Sequence, residues 1–301
     1  MVQLDWDPYY FHAPYALGID LGLYAQEGLE IEFLPGRGSA TVAPSVATDR
    51  ATFGFIDASV LLLSREKKMP LKAVSGISHG NPVAVFFLKD SGIKKPKDLE
   101  GRSVLVSFKS FKNTVTTVFL EKVGLSRERV KMVDTSAPEG SLIQLLLSKK
   151  ADAIVLFANM GFYQGKLLKD RSDFSYFVYR DYGVDSLNKV VVTNEKTIKE
   201  NPELIHRFVR ASAKSWERAL ADPTAAMKAL KKRFPAINEG YELTSFVANR
   251  PFLYGSESKA KGLPYMSPKD WQETQELLVK TGLLPPKSKK LEDSYTNKFI
   301  R

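Results

Sequence analysis

Residues 4–33 have the sequence LDWDPYYFHAPYALGIDLGLYAQEGLEIEF, which contains the start of a βα unit. Leu17, Leu21 and Tyr24 recur at helical spacing and predict a helix with one apolar face. From Leu29 to Leu34 apolar and charged side chains alternate, which predicts a strand. The aromatic side chains that crowd this segment must pack in a core or contact a ligand. The rest of the sequence helps to distinguish these two roles.

The alternation of strands and helices continues along the chain. Further strands are predicted at residues 52–56, 71–77, 83–88, 104–107, 130–133, 153–157 and 189–193. Helices are predicted to begin near Ser39 and to cover 113–122 and 141–149, and the chain becomes almost wholly helical after residue 193. This order predicts an α/β protein.

Two such βα blocks predict two lobes. Lobe I is expected to comprise residues 1–87 and 190–301, and lobe II to be the inserted residues 88–189. Two extended crossings, near residues 84–89 and 189–193, are expected to join them.

Composition limits the class of protein. The chain has 301 residues, 44% of them hydrophobic, which is enough for a sizeable core. No apolar run approaches the roughly 20 residues that cross a bilayer. The chain has no cysteine, which excludes disulfides, thiolate catalysis and thiolate metal sites. No basic and apolar leader stands at the N-terminus, so the protein is expected to be cytosolic or to have lost a leader, and composition leaves both open.

The net charge of +10 is spread along the chain. Residues 1–87 carry 6 basic and 9 acidic side chains, residues 88–189 carry 18 and 12, and residues 190–301 carry 20 and 13. The excess consists of lysines and arginines on helix faces, without the interleaved aromatic residues that stack on bases. We therefore expect a solvated surface and no nucleic-acid partner.

Motifs for catalysis or metal binding are sparse. His12, His79 and His206 lack the spacing of a zinc site. Gly36-Arg37-Gly38 begins a dinucleotide-binding pattern, but Thr41 stands at the third glycine. There is no nucleophile elbow and no phosphate-binding GK[ST] loop. We predict no catalytic residue, no metal and no cofactor.

Polar residues follow two of the predicted strands. The loop from Gly36 to Thr41 brings Ser39 and Thr41 to a helix N-terminus, where free N–H groups can hold a polar or anionic group. Alternatively, Ser39 only caps that helix. Asp57 follows the strand at 52–56 and either faces a ligand or caps the next helix.

Several segments, taken in order, resemble one family. They are LDW at 4–6 with His12 downstream, GLYAQEGLEIEF at 22–33, GSAT at 38–41, FGFIDAS at 53–59, IKKPKDLEGRSVLV at 93–106, LLLSKKADAIVLF at 145–157 and NPELIHRFVRASAKSWERALADP at 201–223. Their order and spacing resemble the ABC-transporter solute-binding proteins of the sulfonate, nitrate and thiamine-pyrimidine group, over essentially the whole chain. The LDW start and the tail MSPKDWQETQELLVKTGLL with YTNKF at 295–299 resemble the thiamine-pyrimidine-precursor branch.

The resemblance implies a bilobed periplasmic-binding-protein-like type II fold, with two βα lobes joined by two hinge strands around a ligand. It also implies that Trp6 stacks on a flat ligand while other early aromatic residues, including Tyr24 and Phe33, lie in the core. The ligand-binding residues that it implies are Trp6, Tyr10, His12, Ser39, Thr41 and Asp57 in the first lobe, Ser107, Ser110 and Asn113 in the second, and Asn159 and Tyr182.

The function that follows is capture of a small planar, amine-bearing heterocycle of the thiamine-pyrimidine-precursor type. The protein would act as a monomer outside the cytoplasm, in the periplasm or at the outer face of a cell membrane. It would deliver its ligand to an ABC permease and touch the membrane only through that permease.

Two alternatives stay open. One is a binder of an alkanesulfonate or another small anion, against which the acidic balance of residues 1–87 and the lack of a candidate arginine speak. The other is a pyrimidine synthase of the same fold. That enzyme needs a lysine in the segment FGFIDAS and a cysteine-rich iron-binding run, whereas this chain has Ile56, Asp57 and Ala58 there and no cysteine. We therefore predict a binding protein and not an enzyme.

Overall fold

The computed structural model describes residues 1–107, 111–137, 139–160, 173–288 and 290–300. The chain forms two compact units, each with its own five-stranded sheet. The first unit comprises Met1–Gly80 and Ser186–Arg301, and the second comprises Asn81–Asp185. No helix among the described residues is long and apolar enough to cross a membrane.

The strands are β1 (Val2–Gln3), β2 (Phe33–Leu34), β3 (Phe53–Asp57), β4 (Leu71–Ser78), β5 (Val83–Leu88), β6 (Ser103–Ser107), β7 (Lys131–Thr135), β8 (Ala153–Phe157), β9 (Phe174–Val178) and β10 (Lys189–Asn194). The helices that lie wholly within the described residues are α1 (Ala13–Asp20), α2 (Leu23–Gln26), α3 (Ser39–Ala47), α4 (Ala58–Glu66), α5 (Phe111–Lys122), α6 (Glu139–Leu147), α7 (Glu195–Glu200), α8 (Pro202–Ala221), α9 (Pro223–Arg233), α10 (Glu239–Asn249), α11 (Ser258–Lys261) and α12 (Pro268–Lys280). A 3-10 turn, Tyr10–His12, precedes α1.

The sheet of the first unit has the strand order β2-β1-β3-β10-β4. Strand β1 runs parallel to β2 and β3, whereas β10 runs antiparallel to β3 and β4. The carboxyl ends of β1 and β3 therefore lie at the same sheet edge as the beginning of β10. This edge carries the candidate site described below.

Most early aromatic side chains belong to the core of the first unit. Tyr15 and Tyr24 are 1% exposed and pack near Phe208 of α8, whose ring stacks on Phe53 with centroids 3.9 Å apart. Helix α8 supplies this face because its apolar residues recur at helical spacing. The prediction that Tyr24 is a core residue is confirmed, and Phe33 is half-buried against the same core.

The sheet of the second unit has the order β7-β6-β8-β5-β9. Strand β6 runs parallel to β7 and β8, and β5 runs antiparallel to β8 and β9. Strands β5 and β8 have the predicted limits. The sequence analysis predicted no strand at β9, which is mostly half-buried and pairs with β5 alone among the described strands.

The predicted strand from Leu29 to Leu34 is wrong in length, since only Phe33–Leu34 pairs. This segment lies at the edge of the sheet, and its one neighbour, β1, offers only Val2 and Gln3 as partners. A strand extends only as far as its partner supplies hydrogen bonds. The alternation of side chains therefore marked a half-buried segment rather than a full strand.

Candidate functional site

Polar side chains of the first unit gather where β1 and β3 end and β10 begins. Asp57 is the last residue of β3 and pairs in register with Lys189, the first residue of β10. Asp5 follows β1 after one residue. The topology of the sheet thus brings two carboxylates and one ammonium group to a single edge.

Lys189 forms ion pairs with both carboxylates. Its Nζ lies 2.7 Å from Asp57 Oδ1 and also contacts Asp5 Oδ2. The side chains of Asp5 and Lys189 are 5% and 13% exposed, whereas that of Asp57 is 38% exposed. Burial favours the neutral forms, but the opposite charges outweigh it, so the pKa of Lys189 lies above its usual value and that of Asp5 well below. Both groups are therefore charged.

His12 and Tyr9 complete the surroundings of Asp5. The Tyr9 hydroxyl donates to Asp5 Oδ2 at 3.0 Å, and His12 Nε2 lies 3.0 Å from Asp5 Oδ1. The Tyr9 backbone N–H donates to His12 Nδ1 at 3.3 Å, so the ring proton sits on Nε2 and is donated to Asp5. Burial lowers the pKa of His12 although Asp5 opposes it, which keeps the imidazole neutral.

Ser39 joins α3 to Asp57. Its hydroxyl donates to Asp57 Oδ2 at 2.9 Å and accepts the Asp57 backbone N–H at 3.1 Å. The residue that caps α3 is Gly38, at φ 101°, and Ser39 is the first residue of the helix. The alternative in which Ser39 caps α3 is therefore wrong.

Asp57 stands at the N-cap position of α4, but its side chain makes no capping hydrogen bond. Its carboxylate turns instead to Lys189 and Ser39. The alternative in which the Asp57 carboxylate caps α4 is therefore wrong. The ion pair with Lys189 and the hydrogen bond from Ser39 hold the carboxylate in this orientation.

Trp6 follows Asp5 directly in the chain and borders the loop that leads to Ser39. Its side chain is 57% exposed, an unusual state for a tryptophan, and a Cβ placed on Gly38 would lie 3.8 Å from Trp6 Cζ3. The indole therefore borders the loop before α3 and presents much of its surface to solvent.

The other predicted residues of the first unit differ in exposure. Tyr10 and His12 are buried, at 7% and 0% exposure. Thr41 is exposed, and its hydroxyl donates to the Gly38 carbonyl oxygen at 2.8 Å. The first unit thus brings Ser39 and Asp57 into contact and places Trp6 beside the loop that leads to Ser39.

In the second unit, polar residues follow the parallel strands β6 and β8. Ser107 ends β6 and is half-buried, and Asn159 follows β8 by two residues and is 9% exposed. The sequence analysis missed Lys112 of α5, whose buried Nζ lies 4.5 Å above the centre of the Phe157 ring. Burial lowers the pKa of Lys112 to about 8.

The remaining predicted residues of the second unit differ in their surroundings. Asn113 Oδ1 accepts from Arg127 at 2.9 Å, and its amide donates to Asp134. Tyr182 packs edge-on against Phe119 and Phe177, at centroid distances of 5.6 and 5.9 Å. Ser110 lies outside the described residues.

Sequence reasoning also missed Asp5 and Lys189. The available signal was one charged residue at the start of the apolar run KVVV, and an aspartate directly before Trp6. Neither reveals its partner, because the pairing depends on β10 inserting beside β3. Among the described residues, no three His, Asp or Glu side chains are grouped to hold a metal ion.

A family model described as NMT1/THI5 like matches residues 10–226. The chain belongs to the NMT1/THI5-like family. This confirms the resemblance drawn from the sequence motifs.

Relatives of this NMT1/THI5-like chain include proteins named as binding proteins and proteins named as synthases. The formylaminopyrimidine-binding protein of Halalkalibacterium halodurans is 26% identical, over 90% of this chain and 86% of its own length. The 4-amino-5-hydroxymethyl-2-methylpyrimidine phosphate synthase THI11 of Saccharomyces cerevisiae is 21% identical, over 99% of this chain and 86% of its own length. The relatives therefore comprise binding proteins and synthases.

The crystal structure of the periplasmic aliphatic sulphonate binding protein SsuA from Escherichia coli matches with a TM-score of 0.72. The match covers 97% of this chain and 90% of SsuA at 13% identity. It confirms the predicted α/β, periplasmic-binding-protein-like type II fold.

Proposed function

We propose that this protein is the extracytoplasmic binding component of an ABC importer and that it captures a small planar, amine-bearing heterocycle of the thiamine-pyrimidine-precursor type. The observation that carries the proposal is the half-exposed Asp57 carboxylate, which Ser39 holds at the end of the loop that the exposed Trp6 indole borders. The permease is its membrane partner, and the protein acts as a monomer.

Asp57 and Trp6 supply the two interactions that such a ligand needs. Lys189 and Ser39 fix the carboxylate from one side, and it can accept further hydrogen bonds from an exocyclic amine. An aromatic ring that stacks on an indole gains about 0.5–1.5 kcal/mol beyond the burial of area. The name of the formylaminopyrimidine-binding relative supports the same ligand class.

The state of Lys189 supports binding rather than catalysis. A lysine forms a Schiff base only as the neutral amine, but the carboxylates of Asp5 and Asp57 raise the pKa of Lys189 against the effect of burial. Its ammonium group is therefore a structural cation and a poor nucleophile. The segment FGFIDAS, which would carry the lysine of a synthase, offers Ile56, Asp57 and Ala58.

A sulfonate is a poorer fit to this surface. Lys189 is a cation at the sheet edge, but two carboxylates already match its charge. An anion near the exposed Asp57 would meet a like charge in a region of reduced dielectric constant.

Titration calorimetry with 4-amino-2-methylpyrimidine and with ethanesulfonate tests the proposal. Asp57→Asn should weaken aminopyrimidine binding by about 1–3 kcal/mol, the worth of a hydrogen bond to a charged group. Ethanesulfonate should bind this variant no worse than it binds the wild type. Asp49→Asn, which removes an exposed carboxylate paired with Lys196, should change neither affinity. Tighter aminopyrimidine binding by Asp57→Asn would contradict the proposal.

Trp6→Ala tests the stacking contact. Loss of the ring should weaken aminopyrimidine binding by roughly 1.5–4 kcal/mol, as for an interface anchor. The melting temperature should stay nearly unchanged, because the side chain is 57% exposed. A large drop in melting temperature would show that the indole supports the fold instead.

A further inference from the structure

The charged groups around Lys189 leave one charge unmatched. Asp5 and Asp57 contribute two negative charges and Lys189 one positive charge. The buried His12 is neutral, and burial with nearby carboxylates raises the pKa of Tyr9, so its hydroxyl stays protonated. The cluster therefore carries a net charge of −1.

This remaining charge is accessible at Asp57 and not at Asp5. Asp5 is 5% exposed, and its two oxygens are engaged by His12, Tyr9 and Lys189. Asp57 is 38% exposed, with Lys189 on Oδ1 and Ser39 on Oδ2. Because a carboxylate oxygen accepts two hydrogen bonds, each oxygen of Asp57 can take one more. The outer side of Asp57 is thus a fixed pair of acceptors.

Among the described residues, three further ionisable groups stand on adjoining segments of the first unit. Asp7 and Arg37, on the loops that flank Trp6, are exposed and opposite in sign. Glu242 of α10 accepts the backbone N–H of Tyr10, and burial raises its pKa to about 7. Glu242 belongs to the core and not to the exposed side of Asp57, because its carboxylate is bonded to Tyr10 and is buried.

We propose that Lys189 sets the charge of this site to −1 and that the site therefore selects ligands that bind as monocations with two adjacent N–H donors on one edge. A planar edge of this kind, as in an amidinium group, forms two parallel hydrogen bonds to a carboxylate. A 4-aminopyrimidine protonated on the ring nitrogen beside its amine has such an edge. The inference rests on the proposed function, in which Asp57 faces the ligand.

Proton uptake on binding tests the charge of the bound ligand. At a pH where 4-amino-2-methylpyrimidine is mostly neutral in solution, binding should take up close to one proton per ligand. Calorimetry in two buffers with different ionisation enthalpies measures this number. Affinity should also fall about tenfold for each pH unit above the pKa of the free ligand, because the cation becomes tenfold rarer.

Asp5→Asn tests whether the net charge of the cluster affects ligand binding when the changed residue does not contact the ligand. The variant leaves Asp57 in place but lets Lys189 neutralise it, so aminopyrimidine affinity should fall at least tenfold and proton uptake should drop well below one. Asp5 is buried and contacts no ligand in this scheme. A merely structural role would lower the melting temperature without changing proton uptake.

The double variant Asp5→Asn/Lys189→Met restores the net charge of −1 with Asp57 alone. It should recover most of the affinity and a proton uptake near one. The single variant Lys189→Met would leave the buried Asp5 carboxylate without its cation, which destabilises the fold. The double variant avoids this loss of stability because it also removes the charge of Asp5. Circular dichroism melting confirms that each variant compared is folded.

The outcomes separate the two proposals. If the aminopyrimidine does not bind the wild type, both the proposed function and this inference fail. If it binds with dependence on Asp57, but without proton uptake and without an effect of Asp5→Asn, the proposed function stands and the selection of a monocation is wrong.

Discussion

At the scale of single residues, Glu242 has an unusual position. Its carboxylate accepts the Tyr10 backbone N–H at 2.7 Å and is 7% exposed. Burial raises its pKa to about 7, although the bond from Tyr10 opposes the shift. A carboxyl group with a raised pKa stabilises the fold below the pKa of the unfolded chain, near 4.5, and this contribution is lost as the pH rises through 7.

We predict that Glu242→Gln makes stability less dependent on pH. Glutamine keeps an acceptor for the Tyr10 N–H but does not ionise, so the variant should avoid the loss of roughly 2–3 kcal/mol that the wild type suffers between pH 4.5 and 8. Urea unfolding at several pH values measures the difference. Glu217→Gln, which changes an exposed carboxylate on α8, is the control and should follow the wild type. Parallel curves for wild type and Glu242→Gln would contradict the assignment.

Residue roles were predictable only where the neighbouring sequence decides them. Asp57 was identified because it follows a predicted strand, and Trp6 because the family resemblance implies that it stacks on the ligand. Whether Asp57 capped a helix was undecidable, since the answer depends on Lys189, which a different part of the chain supplies. Asp5 escaped notice for the same reason, because an aspartate becomes a buried ion-pair partner only when the fold encloses it.

At the scale of elements, the loop between β2 and α3 sets the position of Ser39. Gly36 lies so close to β1 that a Cβ there would collide with the Leu4 carbonyl oxygen. The Gly38 N–H then donates to the Asp5 carbonyl oxygen at 2.6 Å. These contacts hold the start of α3 against the end of β1.

Gly36→Ala should therefore displace this loop. The collision involves backbone atoms, which cannot move aside as a flexible side chain would, so we predict a loss of about 1–3 kcal/mol in stability. Aminopyrimidine binding should weaken as well, because Ser39 supports Asp57. Gly240→Ala in α10, where a Cβ would meet its nearest neighbour at 3.6 Å, is the control and should be tolerated. Chemical unfolding and calorimetry measure both effects, and an unchanged Gly36→Ala protein would contradict them.

Elements with strong internal patterns were predicted well. The apolar runs of β5 and β8 had their limits given by the sequence, because buried central strands need apolar residues throughout. Two edge strands were predicted poorly, because β2 is shorter than its alternation indicates and β9 was missed, whereas the edge strands β4 and β7 were predicted to within two residues. The length of an edge strand depends on its partner, which no local pattern contains.

At the scale of the molecule, the resemblance predicts that a ligand engages both units and draws them together. Saturating aminopyrimidine should then reduce the radius of gyration measured by small-angle scattering. It should also raise the melting temperature, since a hundredfold excess over Kd adds about 2.7 kcal/mol of stability.

Asp57→Asn at the same ligand concentration provides the control, and it should show a smaller change in both measurements. A rise in melting temperature with an unchanged radius of gyration would mean that the ligand binds without drawing the units together.

The position of β10 also affects the order in which the two units can fold during synthesis. This strand lies between β3 and β4, yet residues 79–188 are synthesised after β4 and before β10. A nascent chain therefore emerges from the ribosome with two strands whose shared neighbour does not yet exist. The first unit begins the chain, but its sheet cannot be completed until the second unit has been translated. In most multidomain proteins, by contrast, the N-terminal domain folds first. If the protein is exported before it folds, this delay would keep its N-terminal segment unfolded and able to pass through a translocation channel.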